Sequence, residues 1–395
     1  MSSTRAIAVI TEINETDETN LFGSIHDFCK ELAEYTETKG GLFYVASLAM
    51  YTGHERLGYM LENNRWVKTY VPEADCIYNR IHSRKTEHSP KFQEFLQHLQ
   101  NSHIPIFNER FLHKWEVYYH LANYDYLCPF LPETQMLTSK QTLEQFLAKY
   151  ETVFIKPIYG SQGKKIFRIQ KKENHFLLQY STFSMEKEQI YPSVSALFPA
   201  LKERIRQPVI IQQGIPLQTY KSRPVDFRLL CHRVNDGKWK LTSAVARVAS
   251  EENFVSNVAR GGELFHINHI LNELYEPGIN TSQKNFLKEL SLEIAAALSA
   301  STTGLYGEFG IDLALDTRGK PWIIEVNTKP SKNFDTPLSA KRIRPSAKAI
   351  IDYCTYLINK KERDFLDFLR LFNDPPTSRT RIRNGNCETS LSLRN

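Results

Sequence analysis

Tyr306 to Ser331 reads YGEFGIDLALDTRGKPWIIEVNTKPS, a stretch with the pattern of two strands joined by a tight turn. Apolar residues alternate through Gly310-Ile311-Asp312-Leu313-Ala314-Leu315, the turn is Asp316-Thr317-Arg318-Gly319, and Pro321-Trp322-Ile323-Ile324-Glu325-Val326-Asn327 returns. The polar exceptions are Asp312, Glu325 and Asn327. Glu325 and Asn327 lie two positions apart on one strand and share a face, and a hairpin can bring Asp312 of the partner strand to that face. Two acids gathered there repel each other and lose hydration unless a cation joins them. Two carboxylates and an amide oxygen suit Mg²⁺. The alternative is a strand whose acids face water, and Glu325, set between Ile324 and Val326 in a nearly unbroken apolar run, argues against it.

The spacing D-x12-E-x-N on a hairpin resembles the metal-binding signature of ATP-grasp ligases such as glutathione synthetase, D-alanine:D-alanine ligase and the ribosomal-protein glutamate ligases. By that resemblance Asp312, Glu325 and Asn327 hold two Mg²⁺ ions against the phosphates of ATP. Gly58-Tyr59 to Trp66, followed by Asp75-Cys76-Ile77-Tyr78-Asn79-Arg80-Ile81, sharpens the match. It resembles the YheC/YheD family of bacilli, ATP-grasp proteins named for association with the endospore coat.

A chain of 395 residues is long enough for two or three domains, and 41% hydrophobic with 24% charged residues is the composition of a soluble globular protein. The formal charge of +6 is modest, and Arg379, Arg381, Arg383 and Arg394 near the end supply part of it. Such basicity does not by itself call for nucleic acid, and it equally suits ATP and carboxylate substrates. The six cysteines are scattered without a C-x-x-C pair, which disfavours a disulfide framework or zinc site and fits a reducing cytoplasm. No apolar run approaches the length of a membrane span, and no secretory h-region opens the chain.

Ala6 to Ile10 reads as a buried strand, Ser24 to Thr38 as a helix, and Leu42 to Val45 as a second strand, the order of a small α/β unit. A third strand ends in Asn79 and Arg80. Ligands of open α/β sheets collect at carboxyl strand ends, which makes both residues candidate substrate contacts, although turn or capping roles account for such groups as well. Asn108 is a candidate cap for the helix that follows.

Val153-Phe154-Ile155-Lys156-Pro157 is a buried strand that delivers a lysine, and Gly160 and Gly163 let backbone amides approach a phosphate. The segment fits neither a Walker loop nor a dinucleotide fingerprint. A charged lysine closing such a run needs an anion to meet it. The segment matches the ATP-grasp pattern K-P-x-x-G-S-x-G, which implies Lys156 as phosphate lysine and Gly160, Ser161 and Gly163 as the flap over the nucleotide. Lys165 stands where relatives often have a third glycine. Lys114 occupies the place of a second phosphate lysine in the family; read alone, it is equally a solvated helix residue.

Pro208 to Pro216 is an apolar strand entering a Gly/Pro hinge, able to offer adenine a slot and backbone hydrogen bonds. In the family this hinge binds adenine, which implicates Gln212, Gln213 and Ile215. Gln212 and Gln213 stand where a ribose-binding acid would be expected. Arg228 and Arg247 project from two strands joined by the turn Asn235-Asp236-Gly237-Lys238. Both arginines have a surface salt-bridge reading. The loop Asn257 to Glu263 resembles the N-x-x-x-G-G loop of the glutamate-ligase branch. That implies Arg228 and Arg247 on phosphate or a developing oxyanion, with Asn257 and Gly261 near the substrate.

The expected fold is α/β: a domain preceding ATP-grasp over about 1–110, ATP-grasp halves over about 111–215 and 216–360, and a C-terminal helix with a disordered basic tail over about 361–395. The activity implied is ATP- and Mg²⁺-dependent ligation of a small-molecule or peptide carboxylate to an amine through an acylphosphate. No nucleic-acid or membrane partner is expected, and a homodimer is left open. The cytoplasm, with possible attachment to a spore coat, is the expected location. The rival readings are a coat component that binds ATP without turnover and an ATP-grasp kinase.

Overall fold

Near-continuous apolar strands need cover on both faces, and the first sheet of the chain has it. The computed structural model describes residues 4–160, 165–181, 186–250, 262–332 and 343–373. The basic tail, Ser161, Gly163, Asn257 and Gly261 lie outside them. The first sheet comprises β1 (Ala6–Ile10), β2 (Leu42–Ala46), β3 (Leu57–Glu62), β4 (Arg65–Tyr70), β5 (Cys76–Asn79) and β6 (Ile106–Phe107), in the order β4-β3-β2-β1-β5-β6. β1 runs parallel to β2 and β5, and β6 parallel to β5. Ile7 and Val9 face a core built with Phe28 and Leu32 of the helix His26–Thr38. Ala6, Ala8 and Ile10 face the other way, onto Phe92, Phe95 and Leu99 of the helix Pro90–Asn101.

The C-terminal helix Pro345–Asn373 completes the first of these cores through Ala347, Ile350, Ile351, Cys354 and Ile358. It runs without a break across residue 360. The last described element therefore packs on the first sheet.

The second sheet is antiparallel: β7 (Thr134–Met136), β8 (Thr152–Pro157), β9 (Phe167–Lys171), β10 (Phe176–Ser181), β11 (Glu186–Tyr191) and β12 (Val209–Gln213), in the order β11-β10-β9-β8-β12-β7. Val153, Ile155 and Ile169 turn to the helices Lys140–Lys149 and Val194–Arg204, which contribute Phe146, Leu147, Leu197 and Leu201. Phe154, Lys156, Arg168 and Gln170, one position out of phase, turn to the opposite face.

The third sheet comprises β13 (Thr219–Tyr220), β14 (Arg223–Arg233), β15 (Trp239–Val248), β16 (Glu263–His266), β17 (Glu308–Leu315) and β18 (Pro321–Asn327). Its order is β16-β15-β14-β17-β18, with β13 against β14. Phe227, Leu229, Ile311 and Leu313 bury themselves against Leu287, Ile294 and Leu298 of the helix Ile279–Ser301. The alternate positions face the second sheet, and the space between is the cleft. No helix among the described residues is long and apolar enough to cross a membrane.

A buried polar junction joins the first sheet to the third. Glu308, fully buried at the start of β17, accepts from Arg80 Nη1 at 2.9 Å, from Tyr78 Oη and from Lys332 Nζ, with His232 Nε2 at 3.3 Å. Arg80 also donates to the Pro330 carbonyl at 3.0 Å. Asn108 belongs to this junction and is not the cap expected of it: its amide donates to the Thr328 carbonyl, its oxygen accepts from Gly307 N at 2.9 Å, and the cap is His113.

Burial alone would push the Glu308 carboxyl up, but Lys332, the His232 hydrogen bond and Arg80 outweigh it and hold the group well below the usual range. A carboxyl lowered by folding adds stability above its unfolded pKa of about 4.3 and loses it as pH falls. Glu308→Gln is expected to cost about 3–5 kcal/mol at pH 7 by urea unfolding, because it strands buried cations. The gap to wild type should narrow below about pH 4.

Candidate active site

β8 ends at Pro157 and sends Lys156 into a cleft of about 640 Å³, a size that suits a bound small molecule. Lys156 Nζ donates to Gln212 Oε1 at 2.6 Å, and Gln212 Nε2 donates to Thr134 Oγ1 at 3.0 Å. The position where an acid was expected thus holds a neutral amide, oriented by Thr134. Burial pushes the Lys156 ammonium down to about 8; the carboxylates of Glu325 and Asp312 resist the drop and the charge of Lys114 adds to it.

Lys114 opens the helix Lys114–Leu121, whose Val117 and Leu121 are anchored in the core of the third sheet. From there Nζ reaches Glu325 Oε1 at 2.7 Å and the Gly160 carbonyl at 2.8 Å. The lysine therefore ties Glu325 to the Gly160 carbonyl.

Asp312 and Glu325 are direct partners across β17 and β18. Leu313 pairs with Ile323, so Ile324 is an extra residue in β18. This bulge lets Ile323 and Val326 stay in the core while Glu325 and Asn327 line the cleft beside Asp312. Behind them runs a row of alternating charge. Arg228 Nε and Nη2 both donate to Asp312, the second at 2.8 Å. Arg247 Nη2 stands 3.1 Å from Asp312 Oδ2 and, with Nε, forks onto Asp226 at 2.8 and 2.5 Å. Burial would raise the Asp312 carboxyl; Arg228 and Arg247 hold it below the ordinary range. Burial opposes the charge of Arg247 too, yet Asp226 and Asp312 carry its pKa upward. Asp226 was not singled out from sequence, although its place two positions before Arg228 puts it on the same strand face.

One cleft therefore collects Lys114, Lys156, Gly160, Gln212, Gln213, Ile215, Arg228, Arg247, Asp312, Glu325 and Asn327. The hinge after β12 is tight: Gly214 N donates to the Thr152 carbonyl at 2.8 Å, and a Cβ there would lie 2.6 Å from that oxygen. Asn79 and Arg80 are not brought to the cleft. Both are fully buried, Arg80 on Glu308 and Asn79 on the Glu109 carbonyl at 2.9 Å, and neither is among the residues that line the cleft.

Asp312, Glu325 and Asn327 offer hard oxygen donors. Glu325 keeps Oε2 beyond its bond to Lys114, and the Asp312 oxygens retain lone pairs beyond the arginine fork. No group of three or more His, Cys, Asp or Glu side chains collects for a metal among the described residues. Two carboxylates and an amide are too few for an all-protein cage, but they fit Mg²⁺ that keeps waters and phosphate oxygens.

Comparison with known proteins agrees with this architecture. The family described as YheC/D like ATP-grasp matches residues 103–357, and the chain belongs to it. The endospore coat-associated protein YheD of Bacillus subtilis (strain 168) is 27% identical over 345 residues, covering 84% of this chain and 74% of its own length. Endospore coat-associated protein YheC of the same strain is 20% identical over 309 residues, covering 77% of this chain and 84% of its own. The solved structure of D-alanyl-alanine synthetase A from Vibrio cholerae shares the fold, with TM-score 0.50 and 14% identity over 91% of this chain and 99% of that one.

A triphosphate beside Lys156 would raise its pKa from about 8, so binding near pH 8 should take up a fraction of a proton. Calorimetry with Mg²⁺ and AMPPNP, a non-hydrolysable ATP analogue, in two buffers of different ionisation heat measures that uptake. It should vanish near pH 6, where the lysine is already charged, and affinity should fall above pH 8. Lys156→Met is expected to abolish the uptake and weaken binding ~10- to 100-fold.

Proposed function

We propose that this member of the YheC/D-like ATP-grasp family joins a carboxylic acid to an amine with hydrolysis of ATP to ADP and phosphate. The observation that carries the reading is the in-register pair Asp312 and Glu325 facing the same cleft as Lys114, Lys156, Arg228 and Arg247. Charges of both signs stand preorganised in a partly buried space, as a metal-bound polyphosphate requires. In this reading Asp312, Glu325 and Asn327 hold Mg²⁺, which when bound neutralises phosphate charge and fixes its geometry.

Lys114 and Lys156 draw charge from the phosphates as the bond to the γ-phosphorus breaks. An oxygen of the acid attacks that phosphorus, ADP departs with the electrons of the broken bond, and an acylphosphate is left. The amine then adds to the acyl carbon, phosphate leaves, and the amine's proton passes to solvent. The Arg228 donors not spent on Asp312 suit the oxyanion of that addition, with Arg247 behind holding Asp312 in place. Family resemblance alone assigns Asn257 and Gly261 to the substrate and Ser161 and Gly163 to the nucleotide. The substrates are small-molecule or peptide acids and amines, and the names of YheC and YheD make a role in sporulation part of the proposal.

Mg²⁺-dependent phosphate release from ATP, assayed with pools of amino acids and short peptides, tests this. A pool should stimulate wild type, Glu325→Gln should lose ~100-fold or more of that rate, and mass spectrometry should find a condensed product. A phosphorylated acid without condensation would point to a kinase. Nucleotide binding without stimulation by any pool would point to a coat component that does not turn over.

A further inference from the structure

Arg84 has one buried N–H that no described group accepts, while the carboxylates of Glu87 and Glu325 lie near enough to favour its charge. It opens the short helix Arg84–Glu87 just past β5, where Ser83 accepts from Thr86 N at 3.1 Å. Glu12 pins the turn, accepting from the amides of His82 at 3.0 Å and Ser83 at 2.8 Å. The guanidinium lies over two rings, 5.1 Å from the centroid of Phe111 and 4.9 Å from that of Tyr159. Its Nη1 is buried and has no hydrogen-bond partner. The neighbouring acid is already engaged: Glu87 accepts from Lys329 Nζ on one oxygen and from Phe111 N at 3.2 Å on the other.

The location connects this cation to the cleft. Tyr159 immediately precedes Gly160, whose carbonyl accepts from Lys114, and the same Lys114 holds Glu325. Arg84 is not itself among the residues that line the cleft, but it stands close enough to Glu325 to feel that carboxylate's charge. A buried guanidinium N–H without a partner is costly, and a ligand that accepts from it removes that cost. The two rings lie against the guanidinium, and Nη1 is the donor left without an acceptor. The N–H edge of a guanidinium matches a planar anion with two oxygens.

We infer that Arg84 binds a carboxylate of the acid substrate and steers it toward the Glu325 end of the cleft, an assignment that rests on the ligase reading above. Lys114 and Lys156 meet the phosphates, and Arg84 meets the acid. Phe111 and Tyr159 hold the guanidinium plane, so that an acid is accepted and its amide is refused.

The test uses the full chain saturated with Mg²⁺ and AMPPNP, with acetate and N-acetyl-L-alanine as probes and their amides, acetamide and N-acetyl-L-alaninamide, as controls. Saturation-transfer NMR reads the methyl signals. Wild type should bind both acids and neither amide. Arg84→Gln should weaken acid binding ~10-fold or more and Arg84→Lys less, with AMPPNP affinity unchanged within about twofold. Phe111→Leu keeps the charge and removes one ring. It should weaken acid binding several-fold, and it decides the matter if Arg84→Gln does not fold. Wild type that treats acids and amides alike, or variants that bind acids as wild type does while AMPPNP still binds, would overturn the inference and leave the ligase reading standing. Wild type that fails to bind AMPPNP would sink the ligase reading, and the inference with it.

Discussion

Asp312 and Glu325 face each other in register across β17 and β18, and two negative charges at that separation in a partly buried cleft demand compensation. The compensation comes from three separate parts of the chain. Lys114 arrives on a helix anchored in the third core, Arg228 from β14 and Arg247 from β15, itself held by Asp226. Each cation is rigid because its element is packed elsewhere. The charges that line the cleft are thus paired and held before any ligand enters.

A second constraint acts one sheet away. Glu308 gathers Arg80, Tyr78, His232 and Lys332 with no exposure to water, and the residues come from β5, β14, β17 and the stretch after β18. A buried carboxylate tolerates such a place only when fully satisfied, so the geometry of this junction is strongly specified. It locks the end of β5, and with it the turn that carries Arg84, to the strand that carries Asp312.

Local chemistry was legible in the sequence wherever period and residue type sufficed. The two-residue alternation of Ile311 and Leu313 marks the core face of β17, and the apolar strand ending in Lys156-Pro157 announces a lysine at a strand end. What escaped depended on partners far along the chain. Arg80 has the pattern of a strand-end ligand contact, but Glu308, 228 positions away, takes its charge. Asn108 has the pattern of a helix cap and instead bridges backbone groups of Gly307 and Thr328. The bulge at Ile324 is invisible to alternation, since Ile323-Ile324 simply reads as two apolar residues, yet it is what puts Glu325 opposite Asp312. Asp226 left a signal in its phase with Arg228, but a lone acid in a strand attracts no notice until Arg247 is placed beside it.

The helix Pro345–Asn373 has a consequence for how the chain comes off the ribosome. Ile7, Val9, Phe28 and Leu32 emerge first, while the Ile350, Ile351 and Cys354 that cover them emerge near the end. Roughly 240 residues separate Phe107 from Pro345, which at about 5–20 residues per second is on the order of ten seconds to a minute of synthesis. During that interval this face of the nascent first sheet has the helix His26–Thr38 to cover it but lacks the C-terminal helix. The time between its emergence and its closure is the interval in which that face lacks its last cover.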